Sequence, residues 1–283
     1  PKTCDWRDYV YGVLFAVSSD CKVRGGQIYI RQSAASAGLA SSASFCVGLA
    51  KVLCPELDSL ELVEKSWQAE RHYVGVKCGI MDQLSITVGG GLNIRSKDLS
   101  FSRVSLEKSN CQLVILDTLV PRRLLSSNYN TRHEEMVEVA KAIGLKDVNL
   151  IAGLDRVPGN LRPKLRARLR HVLSESDRVR RAAIAIEIGD WKVLGSLMNQ
   201  SHASLKDDYD VSCPELDKIV TLTQSQRGVL GARMTGAGFG GCAVALCEKN
   251  SVHDWQGQVS IVERDGINVN QSKIISKNPS NIS

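Results

Sequence analysis

Apolar positions return every third or fourth residue between Trp6 and Val17, which predicts an opening amphipathic helix. Gln27-Ile28-Tyr29-Ile30-Arg31 reads as a strand, and it leads into a loop of small residues over Ser33–Ala43. Ser44–Leu53 and Leu60–Val74 carry helical spacing, the second with Trp67 and Ala69 among charged residues. Glycines at 89, 90 and 91 then punctuate the chain ahead of two strand-like runs, Gly91–Arg95 and Gln112–Asp117. Asn130–Ile143 follows a helix start signal and bears a stripe of Met136, Val139, Ala140 and Ile143. Further helices are expected over about 161–199 and Cys213–Gln226, and a glycine-rich loop lies between two short strands around residue 236. From about Glu248 the chain turns polar, and Ile275–Ser283 reads as a frayed tail. Strands mixed with helices, with neither regular alternation nor an internal repeat, predict an α+β fold. Its two domains are expected to cover residues 1–110 and 111–283.

With 283 residues the chain can bury a substantial core, and 43% hydrophobic with 23% charged residues is ordinary for a globular protein. No apolar run approaches the ~18 residues of a membrane span. Neither a signal-peptide pattern nor an initial Met is present at Pro1, so the chain is expected to begin inside a longer gene product. Nine cysteines scattered without CxxC spacing suggest reduced thiols and a cytoplasmic protein. The net charge of +6 is concentrated in Arg156–Arg181. Leu165, Leu169, Val172, Leu173 and Val179 recur there at helical spacing without aromatics, so a solvated helix face is favoured over a nucleic-acid surface. A monomer that binds small molecules, with no nucleic-acid or membrane partner, is the expectation.

Three segments carry candidate chemistry. Gly231, Gly236, Gly238, Gly240 and Gly241 crowd one loop, where backbone N–H groups can approach a ligand or simply close a hairpin. Gly38-Leu39-Ala40-Ser41-Ser42-Ala43 passes straight into a helical pattern, which suits a phosphate at the positive helix end. The same serines would also serve as ordinary helix caps. Glu70 and Asp82 are carboxylates of the kind that hold magnesium beside phosphate oxygens or take a proton from a hydroxyl. Asp82, among Cys78, Gly79, Ile80 and Met81, equally suits a buried ion pair or a helix cap.

Together these segments resemble the GHMP small-molecule kinase superfamily, and within it the galactokinase family. The loop ending in Ala43 is similar to a PxxxGLGSSAA motif, and Val76–Gln83 is similar to the stretch around a catalytic aspartate. Ser201–Asp217 and Gly231–Cys242 are also galactokinase-like, so the likeness runs over about residues 5–248. The resemblance implies an N-terminal ribosomal-protein-S5-like domain and a ferredoxin-like C-terminal domain with the active site between them. It implies transfer of the γ-phosphate of ATP to the anomeric hydroxyl of D-galactose, with Mg²⁺. In that scheme Asp82 accepts the hydroxyl proton, while Ser42 (with Ser41 beside it) and Glu70 hold the metal. Trp6 and Tyr9 flank the adenine, and Gly38, Leu39 and Ser41 line the phosphates. Gly79, Tyr129, Gly236 and Gly238 face the sugar.

The sequence departs from the family pattern in three places. No segment of the form GRVNLIGEHTDY occurs, so the chain is expected to lack the first strands of the fold and an arginine at the transferred phosphate. Ala34 and Ala40 replace a proline and a Gly or Ser of the phosphate loop, and Ala40 is costly if its φ is positive. Asn250–Ser283 no longer resembles the closing helix and strand. A kinase for galacturonate or arabinose, a non-catalytic sensor of galactose and ATP, and an inactive fragment are the alternatives.

Overall fold

A capping box starts the third helix: Asp58 Oδ1 accepts from the N–H groups of Leu60 and Glu61 at 2.8 and 2.9 Å, and Asp58 N–H donates to Glu61 Oε2. Such local signals mark much of the secondary structure in the computed structural model. It describes residues 5–23, 25–30, 39–95, 97–106, 109–120, 129–145, 159, 161–249, 251, 259–263 and 266–268. Helices α1 (Arg7–Val17), α2 (Ser41–Leu53), α3 (Ser59–Gln68) and α4 (Met81–Val88) come first, followed by the hairpin β1 (Gly91–Arg95) and β2 (Ser100–Val104). Val13, Val17, Cys46, Ala50, Leu62 and Ala69 form the core of this half. A π-helical segment, Ala69–Val74, continues α3 and ends at Gly75, with φ 96°.

Strand β3 (Cys111–Asp117) begins the second half, and helices α5 (Tyr129–Ala142), α6 (Pro163–Ile188), α7 (Trp191–Ser204) and α8 (Pro214–Gln224) follow. With β4 (Val229–Met234), β5 (Cys242–Glu248), β6 (Val259–Glu263) and β7 (Gly266–Asn268) it builds an antiparallel sheet in the order β4-β5-β3-β6-β7. Proline at the start of α6 and of α8 loses no helical hydrogen bond there. Helix α7 lies against β4 so closely that a Cβ on Gly231 would stand 2.0 Å from the Gly195 carbonyl oxygen. Asn199 Oδ1 and His202 Nδ1, one helical turn apart, accept from the N–H groups of Ala232 and Met234, two residues apart on the strand. Side chains of α7 thereby occupy donors that β4 would otherwise leave unpaired.

A second π-helical segment, Leu205–Tyr209, extends α7, and Asp210 after it has φ 55°. Two buried arginines hold this turn. Arg132 donates to the carbonyls of Tyr209 and Asp210 at 2.8 and 2.7 Å, and Arg168 donates to that of Asp208. Both also meet Asp210 Oδ2 and Glu135 Oε2. The arginine-rich run is thus largely committed within the protein: Arg162 pairs with Glu138, Arg170 with Asp208, Arg178 with Glu175, and Arg180 with Asp177.

Several expectations need correction. Gln27–Ile30 makes no strand, and Tyr29 is almost fully exposed; no described strand lies beside it to complete a ladder. The helix expected through Val74 changes to a π-helix at Ala69. Strands β2, β6 and β7 were not anticipated, because Ser100–Val104 is polar and β6–β7 fall in the tail, where polarity masks the alternation. Cys21 and Cys54 form a disulfide rather than two thiols. The packing of α1 on α2 brings their Cα atoms to 5.9 Å, a proximity that a sequence separation of 33 conceals. No helix among the described residues is long and apolar enough to cross a membrane.

His171 stacks on Tyr209 with ring centroids 4.4 Å apart, and its Nδ1 meets Ser204 Oγ at 3.0 Å. Burial holds it at about 4, and burial also lowers His202. The unfolded chain therefore binds these protons more readily, so stability rises with pH between about 4 and the usual histidine value of about 6.5. The contribution is complete above that window and is lost as pH falls through it. Urea unfolding across the window should show a flatter pH dependence for His171→Gln than for the parent. An unchanged slope would contradict the assignment.

Candidate active site

Helix α2 begins without a side-chain cap: Ala40, its N-cap, has φ 54° and ψ 34°. Ser41 and Ser42 follow at the positive end of the helix, both half-buried. The functional reading of this loop requires N–H groups open to an anion, and the absence of a side-chain cap is compatible with it. Leu39 is half-buried beside them, while Gly38 and Ala34 lie outside the described residues.

Glu70 comes to these serines from the π-helical segment. Its carboxylate is 2% exposed and accepts hydrogen bonds from Ser42 and from Gln83 Nε2, the latter at 2.5 Å. Burial raises its pKa, the two hydrogen bonds lower it, and the Asp82 carboxylate raises it further. None of these neighbours is a cation. The extra residue of a π-turn reorients a helix side chain locally, a device common at functional sites.

Asp82 stands in the first turn of α4, where the helix dipole favours a carboxylate. The loop before it is held through the Cys78 carbonyl, which accepts from Trp67 Nε1 at 3.2 Å and Arg71 Nη1 at 2.9 Å. Asn130 clamps the start of that loop: Lys77 N–H donates to its Oδ1 at 3.0 Å, and its Nδ2 donates to the Gly75 carbonyl at 3.3 Å. Lys77 Nζ pairs with Glu134 across the same seam at 2.6 Å. Tyr129, adjacent to Asn130, is pushed up to about 12 by burial and then by Cys78, Asp82, Tyr209 and Glu70. Burial and Glu70 drive the Cys78 thiol to about 12 as well. Asp82 thus adds to the rise of Glu70, Cys78 and Tyr129, while the Arg71 guanidinium opposes it at Cys78.

The glycine loop is built for close packing. Gly238, at φ 81°, would place a Cβ 2.0 Å from the Val211 carbonyl oxygen, and Phe239 N–H donates to that oxygen at 2.8 Å. Gly241 N–H donates to the Val120 carbonyl, while Thr118 donates to that of Gly241. The Arg132 guanidinium lies 6.0 Å from the Phe239 ring centroid, which connects the loop to α5, one turn beyond Tyr129. Gly236 is exposed and Gly238 buried. Gly79 is exposed, with open space around its Cα. Trp6, 61% exposed, precedes α1, and Tyr9 packs partly into the first core.

The structure thus brings Ser42, Glu70, Asp82 and Tyr129 into mutual influence. It adds Gln83, Asn130 and Arg132, which the sequence reading passed over. Gln83 follows Asp82 directly and Asn130 follows Tyr129, but nothing in their spacing identifies partners 13 residues away for Gln83 and 53 and 55 away for Asn130.

The positive φ of Ala40 settles the condition set by its sequence. A non-glycine residue in this region bears strain of roughly 1 kcal/mol, partly offset by the greater unfolded freedom of glycine. Ala40→Gly should therefore stabilise the fold by about 0.5 kcal/mol in urea unfolding. A loss of stability would contradict this reading.

Comparison with known proteins finds the GHMP kinases N terminal domain over residues 8–90 and GHMP kinases C terminal over residues 182–259. The galactokinase of Roseiflexus sp. (strain RS-1) is 38% identical over 280 residues, spanning 92% of this chain and 70% of that protein. The Bacillus subtilis galactokinase is 35% identical, spanning 90% and 70%. A crystal structure of Lactococcus lactis galactokinase complexed with galactose superposes with a TM-score of 0.76 at 32% identity, covering 89% of this chain and 69% of that one. L. major mevalonate kinase shares the fold, with a TM-score of 0.54 at 21% identity.

Proposed function

The chain belongs to the galactokinase family of the GHMP kinases, and from that premise we propose that it transfers the γ-phosphate of ATP to the anomeric hydroxyl of D-galactose. The observation that carries this reading is the meeting of Ser42, Glu70 and Asp82 at the adjoining starts of α2 and α4. Phosphoryl transfer asks a protein mainly for positioning and charge neutralisation, and these groups suit both tasks.

In this scheme the first turn of α2, with Leu39, Ser41 and Ser42, receives the phosphates of ATP, with Gly38 ahead of it in sequence. Trp6 and Tyr9 flank the adenine; the exposure of Trp6 leaves its indole available to stack. Gly79, Tyr129, Gly236 and Gly238 face the sugar. Asp82 accepts the proton of the anomeric hydroxyl as its oxygen bonds to the γ-phosphorus, and the bond to the β–γ bridging oxygen breaks to release ADP. Asn130 and the Cys78 carbonyl contacts keep the loop that bears Asp82 in register with Tyr129.

Magnesium fits the residues present. Ser42 and Glu70 supply hard oxygen donors, and a buried carboxylate with another nearby and no ion-pair partner among the described residues suits a cation. Bound there, the ion would neutralise charge on the phosphate oxygens. The protein would act as a cytoplasmic monomer, with the boundary between its domains at residues 110 and 111.

Asp82→Asn should lower kcat by about 10²–10⁴-fold in a coupled ADP-release assay with galactose. Nucleotide affinity, measured by calorimetry, should stay within about threefold, because the α2 terminus is untouched. Near-parental turnover would remove Asp82 from its role as base.

A further inference from the structure

Gln83 is 1% exposed, and its two amide atoms are treated very differently. Nε2 donates to Glu70 Oε2, whereas Oε1, fully buried, has no hydrogen-bond partner among the described residues. A buried amide oxygen left unpaired costs roughly 1–3 kcal/mol, so such atoms are rare without a reason. The amide is buried in spite of that cost, and its Nε2 hydrogen bond goes to Glu70. Glu70 accepts from Nε2, which fixes the orientation of the amide, since a carboxylate offers the oxygen of a reversed amide no hydrogen to accept.

Magnesium takes hard oxygen ligands, and a carboxylate that serves as one must be held in a fixed orientation. We propose that Gln83 is a positioning residue of the cation site, with Nε2 holding the Glu70 carboxylate in the orientation in which it would meet the ion. This rests on the assignment of Ser42 and Glu70 as the ion's protein ligands. It explains why a carboxamide, rather than an apolar side chain, is buried in α4 at this point. Thr87, one turn further along α4, supplies an internal comparison. Its Oγ1 is likewise buried without a partner among the described residues, so no hydrogen bond joins it to Glu70.

Mn²⁺ binding to the protein with a non-hydrolysable ATP analogue, followed by electron paramagnetic resonance, tests this without turnover. Gln83→Met retains length and removes both amide atoms. It should weaken Mn²⁺ about 10–100-fold, as changes to residues that orient metal ligands commonly do. Nucleotide affinity without metal should be unchanged. Thr87→Val should leave Mn²⁺ affinity at the parental value. Glu70→Gln should weaken the ion at least as much as Gln83→Met. If Glu70→Gln weakens Mn²⁺ and Gln83→Met does not, the role of Gln83 is overturned while the cation site stands. If neither weakens it, the cation assignment fails and the role of Gln83 falls with it. Equal losses in Gln83→Met and Thr87→Val would mark a general softening of α4, which also overturns the proposal. Gln83→Leu offers the same measurement should the methionine variant fail to fold.

Discussion

A carboxylate taken out of water must be paired or hydrogen-bonded, and Glu70 is the point at which this fold meets that demand most directly. Its position draws on three separate elements. The change from α3 into a π-helix carries it inward, the start of α2 brings Ser42, and α4 brings Gln83. None of these contacts supplies a positive charge. Glu70 is therefore hydrogen-bonded but not ion-paired among the described residues, with Asp82 nearby, and the proposed cation site rests on that condition. The uncapped start of α2 has the same character, since its backbone offers positive potential rather than a compensating side chain.

The second half of the chain meets this site through α5. Tyr129 and Asn130 sit at its first turn, against the loop of Asp82, and Arg132 ties the same helix to the π-helical turn and to Asp210. Arg132 and Arg168 share Glu135 and Asp210, which compensates buried charges that would otherwise be costly to maintain. Val211, next in sequence, is the residue on which Gly238 and Phe239 pack. The glycine-rich loop is thus braced by the turn beneath it, and its buried glycines answer to steric approach rather than to a phosphate.

The long periodic segments were legible because one face of each helix is apolar: α1, α2, α5 and α8 fall within a few residues of their expected limits. The structure adds local start signals that the periodicity does not carry, the capping box of Asp58 with Glu61 and the prolines Pro163 and Pro214. Gln27–Ile30 failed as a strand because a ladder needs a neighbour that local sequence does not specify. The π-helices were invisible for a related reason, since one extra residue per turn barely alters hydrophobic spacing. Ser42, Glu70, Asp82 and Tyr129 could be named as candidates by motif. Gln83, Asn130 and Arg132 could not, because each acts through a hydrogen bond whose partner is distant in sequence or carries no distinguishing residue type. The Cys21–Cys54 pairing belongs with these, as a product of helix packing.

The reading of this chain as a sugar 1-kinase built on Ser42, Glu70 and Asp82 predicts where its substrates lie. A crystal structure with magnesium, a non-hydrolysable ATP analogue and galactose would measure that arrangement. The γ-phosphate should lie at the first turn of α2, and the anomeric hydroxyl should sit within hydrogen-bond reach, about 2.6–3.2 Å, of the Asp82 carboxylate. Galactose bound with a different hydroxyl toward Asp82, or phosphates bound away from Ser42, would contradict it.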